Sequence, residues 1–237
     1  MRAHPGSHAL PFRFLLSCLP LLLLAAGCAA QPAPGASVQR VDDALVFDGR
    51  IDAAAATRFL QLLAEPGVKR VVITSRGGLV GPALDMADAV HAGGLAVEVP
   101  TACLSSCANY VFPAGSRKLL GRPDAVGWHG NMAHVLYLQQ SGQASWPPEP
   151  MAQARALARR EAEFYRGIGV DGFVAWFGKL APYGVEDFYF LSAADMARFG
   201  IGDVTVKGPS AGDPGPRPLV VDWPGLEALR PAVRLDE

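Results

Sequence analysis

Ser106 stands where a loop turns into a helix over 106–114 that Gly115 closes, the pair Gly77-Gly78 lies in an earlier loop, and His129 follows the short apolar run Ala125-Val126-Gly127-Trp128. A serine at a helix start is ordinarily an N-cap, and a lone histidine is ordinarily a hydrogen-bonded structural residue. Together they have another use. A serine hydroxyl becomes a nucleophile when a neighbouring base takes its proton, and glycine backbone can carry N–H groups close to an oxyanion with no side chain in the way.

The flanking elements must bring these residues together. Ala44-Leu45-Val46-Phe47 reads as a strand bounded by Asp43 and Asp48-Gly49, and Asp52 can cap a helix that carries Phe59, Leu60, Leu62 and Leu63. Val68 to Ile73 and Ala96 to Val99 are further strands, with Leu84, Met86, Ala87 and Val90 at helical spacing between them. Alternation of strand and helix predicts an α/β fold with a parallel sheet, whose strands end in the loops holding Gly77-Gly78 and Ser106. A helical excursion is expected over 147–180. A last strand falls within 201–206, and 208–237 reads as a Pro-rich tail.

Composition excludes other classes. Of 237 residues, 50% are apolar and 18% charged, which fits a globular chain, and 21 basic against 22 acidic residues give no strong attraction to nucleic acid. Arg2 and Arg13 precede an apolar run that ends in Ala25-Ala26-Gly27-Cys28, too short and too interrupted by Pro20 to span a bilayer with ease. It reads as an export signal over 1–27 with acylation of Cys28, in resemblance to bacterial lipoboxes; ordinary cleavage nearby is the alternative. Without Arg2 and Arg13, 19 basic and 22 acidic residues remain, a net charge of −3. Ala29 after the cysteine resembles sorting to the outer membrane, where lipid chains would hold the protein facing the periplasm. Residues 28–40 read as a tether and the domain as 41–207.

Taken in order, the segments Ile73 to Gly78, Ser106 to Arg117, Val126 to Gly130 and Phe190 to Asp203 resemble the Clp-type serine peptidases, whose larger superfamily includes the crotonases. The likeness covers 44–206. It implies a ClpP/crotonase-like spiral of repeated β-α-β units with a helical excursion, and homo-oligomers. It also implies a nucleophile at Ser106, a base at His129, and an oxyanion hole from the backbone N–H groups of Gly77 and Cys107, with Gly78 beside them. The aspartate of that family falls nearest Asp187, one residue early, so that Phe188 takes the aligned place; Glu186 and Asp203 are reserves.

Cys103 and Cys107 bracket the serine and are the cysteines left besides Cys28 after processing. An oxidising compartment makes a disulfide the simplest expectation, since four residues along a helical turn place the Cα atoms ~6 Å apart. A thiol pair, a zinc site lacking a second ligand pair, and a Cys107 nucleophile are weaker alternatives. Residues 131–150 form a lid, a substrate groove or a surface insertion, with His134 exposed; Trp128 belongs in the core. The leading expectation is a lipid-anchored cell-envelope serine hydrolase acting on peptides or proteins, with no metal or organic cofactor required. The alternative is a non-catalytic lipoprotein binding a peptide or envelope partner, and an acyl-CoA enzyme of crotonase type is disfavoured outside the cytoplasm.

Overall fold

The structure, a computed structural model, describes residues 35–207 and 217–235. The expected export signal and Cys28 lie outside the described residues. No described helix is long and apolar enough to cross a membrane.

The chain begins with β1 (Ser37–Val41), which pairs antiparallel with β2 (Ala44–Asp48). The expected tether therefore ends sooner, and the domain starts at Ser37 instead of 41. Its alternation of exposed and half-covered residues is that of an edge strand with one partner.

Beyond β2 the chain alternates as its periodicity requires: α1 (Ala53–Leu63), β3 (Arg70–Thr74), α2 (Val80–Ala92) and β4 (Ala96–Val99). Asp52 starts α1 by accepting the Ala55 amide at 2.8 Å, and Ala55, Ala56, Phe59 and Leu62 form its buried face. Phe59 meets Phe47 of β2 edge to face, with ring centroids 6.4 Å apart.

A two-residue strand, β5 (Cys103–Leu104), leads into a π-helical turn, Cys107–Val111, that runs on into α3 (Phe112–Ala114). Next come β6 (Lys118–Leu120), β7 (Val126–Gly127), α4 (Met132–Gln140), α5 (Pro148–Ile168), α6 (Ala193–Arg198), β8 (Val204–Val206) and α7 (Trp223–Leu229). The main sheet has the order β1-β2-β3-β4-β6-β8 and is parallel except for β1. β5 and β7 make a separate parallel pair, Cys103 opposite Val126 and Leu104 opposite Gly127. This small pair sets the serine loop beside the histidine loop.

The helical excursion expected over 147–180 holds α5 and two 3₁₀ turns, with α4 before it; Phe173, Trp176 and Phe177 join Tyr189 and Phe199 in one aromatic cluster. The C-terminal segment is not a free tail. Leu219 donates its amide to the Phe190 carbonyl at 2.8 Å, Trp223 Nε1 donates to Asp195 at 2.9 Å, and Leu226 is fully buried. Arg230 closes the contact with a bidentate pair to Asp171 at 3.0 and 2.5 Å. Apolar Trp223, Leu226 and Leu229, one helical turn apart, override the Pro-rich composition around them.

Candidate active site

Ser105, between β5 and the π turn, adopts φ +58°, a left-handed conformation that costs a non-glycine residue ~1–3 kcal/mol. Three bonds hold it there: its amide donates to the Gly127 carbonyl at 3.0 Å, its carbonyl accepts from the Asn109 amide at 2.8 Å, and its Oγ lies 2.7 Å from His129 Nε2. The serine that meets the histidine is thus Ser105.

Ser106 is not brought to His129. It is buried, 2% exposed, and its Oγ accepts the Gly78 amide at 2.7 Å. The difference has a local setting: Ser106 leads directly into the π turn, whereas the left-handed Ser105 before it is the residue whose hydroxyl meets His129. The doublet Ser105-Ser106 gave no signal of which hydroxyl would face the cleft.

The expected amide donors are also rearranged. Gly77 donates its N–H to Ser75 Oγ at 3.0 Å, Cys107 is buried at the start of the π turn, and the Gly78 amide is the one that points to Ser106 Oγ, at 2.7 Å. Both glycines are demanded by close backbone approach. A Cβ on Gly77, at φ +87°, would lie 2.6 Å from the Leu104 carbonyl oxygen and 2.7 Å from Ser105 Cβ; one on Gly78 would lie 1.9 Å from the Ile51 carbonyl oxygen. Gly78→Ala is expected to destabilise the fold by about 3 kcal/mol or more, measurable by urea unfolding, because backbone and not a flexible side chain must yield.

His129 is positioned by β7 and its surroundings. Trp128, fully buried, exchanges both backbone hydrogen bonds with Tyr189 at 3.0 and 2.9 Å, and the Gly130 carbonyl accepts from Asn109 Nδ2 at 2.8 Å. Phe188 packs on the imidazole with centroids 4.6 Å apart. Asp187 does not reach it: its carbonyl, with those of Val185 and Glu186, accepts from Lys179 Nζ at 2.6, 2.9 and 2.6 Å. Among the described residues no carboxylate contacts His129. Of the reserves, Asp203 sits by the opposite ends of the strands, where its carbonyl accepts the Lys118 amide at 2.9 Å. Burial, and then the Lys179 cation, hold the His129 pKa below its ordinary value of 6.5.

The cleft over these residues encloses about 280 Å³ and is lined by Gly78, Val80, Ser105, His129, Met132 and His134 among others. Two of those come from α4, so the stretch expected as a lid, groove or surface insertion supplies a wall of the cleft. His134 is half-buried, not exposed, and stacks on Trp176 and Tyr137 at 5.6 and 6.5 Å. Burial, then Lys179 and His129, push its pKa down to about 4, which leaves it neutral at pH 7. Below the cleft, the fully buried Glu161 of α5 accepts from the Tyr110 hydroxyl and from the Met132 and Ala133 amides at 3.1 and 3.3 Å, fixing the start of α4.

Cys103 and Cys107 are joined by a disulfide, with Cα atoms 5.2 Å apart, that straddles Ser105 and Ser106. Replacing both by alanine is expected to cost roughly 2 kcal/mol from the short closed loop. Thermal melting with and without a reductant checks this, and only the wild type responds. The chain matches no protein-family model, and no curated protein aligns significantly with it.

Proposed function

We propose that this chain is a serine hydrolase of Clp/crotonase type, cleaving peptide bonds by acyl transfer to Ser105. The 2.7 Å contact between Ser105 Oγ and His129 Nε2 carries the reading, since a general base must lie within hydrogen-bond reach of the proton it takes. His129 accepts the hydroxyl proton as Oγ attacks the substrate carbonyl carbon. The resulting oxyanion takes the place of Ser106 Oγ at the Gly78 amide, with the Ser106 amide as second donor. The tetrahedral intermediate then expels the amine, which receives the proton from His129, and water attacks the acyl-enzyme by the same route in reverse roles.

Among the described residues no carboxylate orients the imidazole, so Phe188 and the Lys179-bound loop do that work by packing. Lys179 also disfavours the imidazolium formed in the transition state, which supports a rate well below that of a complete triad, where a mis-set histidine alone costs ~10⁴. The same observation favours a second reading, in which the cleft binds a peptide without cleaving it. Export and acylation at Cys28 remain part of the proposal on the sequence between Arg2 and Cys28.

A fluorophosphonate probe decides between the two. Covalent adduct mapped to Ser105 by peptide mass spectrometry is expected; no adduct on the folded chain leaves the binding reading. Because the depressed His129 pKa keeps the neutral base available, the labelling rate is expected to reach half its plateau only below pH 6.5. A rate halved at or above 6.5 contradicts this.

A further inference from the structure

On the far side of Gly77 from Ser105 lies a second cleft, about 510 Å³, at the C-terminal ends of β2 and β3 and beside Ala102 beyond β4. Crevices at the carboxyl ends of parallel strands are where α/β sheets bind ligands. Arg50 and Arg76 both line it, both are exposed, and neither guanidinium has a hydrogen-bond or ion-pair partner among the described residues. Pairing beyond the strands puts them on one rim: the Gly49 amide bonds the Thr74 carbonyl at 3.0 Å and the Ile51 amide bonds the Gly77 carbonyl at 3.0 Å, with Arg50 and Arg76 between those anchors. Asp48 lines the same cleft but forms an ion pair with neither arginine.

We propose that this cleft is a carboxylate subsite, in which Arg50 and Arg76 receive an acidic side chain or the terminal carboxylate of a peptide whose backbone crosses Gly77-Gly78. The inference rests on the hydrolase reading for its peptide. The chemistry is specific: two planar guanidinium forks with unused donors match a carboxylate, and Gly77 of this cleft adjoins Gly78 of the cleft over Ser105.

The test uses binding, so that it does not depend on turnover. Dye-labelled hexapeptides of alanine and glutamine, C-terminally amidated, carry one Glu walked through the six positions; a parallel peptide has no Glu but a free C-terminal carboxylate. Affinities are read by fluorescence polarisation on the full chain carrying Ser105→Ala, with and without Arg50→Gln and Arg76→Gln. At least one carboxylate position is expected to bind on the order of tenfold tighter than the all-amide peptide, and the preference is expected to vanish in the double variant at unchanged melting temperature. The Glu series and the free-terminus peptide tell side chain from chain end. Equal affinity for every peptide, or a preference that survives both substitutions, overturns the proposal. Fluorophosphonate labelling of the wild type reports separately on the hydrolase reading.

Discussion

On the proposed hydrolase reading, Ser105→Ala is expected to abolish covalent labelling and to lower peptide hydrolysis by ~10³-fold or more, and His129→Ala to do the same, because nucleophile and base would act as one unit. Ser106→Ala is expected to stay within about tenfold of wild type, since the hydroxyl lost accepts only the Gly78 amide, the place proposed for the substrate oxyanion. The comparison is informative because the two serines are adjacent and equally polar. Paired measurements of labelling rate and melting temperature on the three variants check it. Loss of labelling in Ser106→Ala with retention in Ser105→Ala would reverse the assignment and return the nucleophile to the position that sequence spacing indicates.

Between pH 4.5 and 7 the wild type is expected to lose about 3 kcal/mol of stability relative to Glu161→Gln. Burial raises the Glu161 pKa from 4.5 to about 7, against the lowering effect of its hydrogen bonds from Tyr110, Met132 and Ala133. The folded carboxyl therefore holds its proton where the unfolded one has released it. Its contribution is fully present below pH 4.5 and is lost as pH rises through 7. The glutamine side chain keeps an acceptor for the amides of α4 and has nothing to ionise. Urea unfolding of both chains at half-unit pH steps measures the difference, and parallel curves would refute it.

The alternation of strand and helix was legible because its determinants are local. Val71 and Ile73 alternate into the core, and Leu84, Met86, Ala87 and Val90 follow helical period, so the strands and helices stand within a few residues of where the pattern puts them. The cysteine pair was equally legible, since its geometry depends on four residues of chain. What could not be read depends on non-local partners or on an irregular turn. β1 exists because Ser37–Val41 has β2 to pair with, and its own composition is weakly apolar. The C-terminal segment is ordered by Phe190, Asp195 and Asp171, far away in sequence. In the site, the glycine pair and His129 could be singled out from residue type and setting, whereas the choice between two serines hinges on the left-handed turn at Ser105, which residue type does not announce. Phe188 in place of an acid was visible in the sequence as a register fault. That Lys179 clamps the neighbouring loop was not.

The pairing of β6 with β8 joins residues 118–120 to 204–206, and Leu226 must still find its place afterwards. A chain synthesised from its N-terminus therefore leaves the β6 rim bare until more than eighty further residues have emerged, with nothing to shield its main-chain groups from other unfinished copies. Loop closure over that distance also delays the decisive step of folding. Shortened versions ending before α7 should be treated as incomplete molecules, not as trimmed ones.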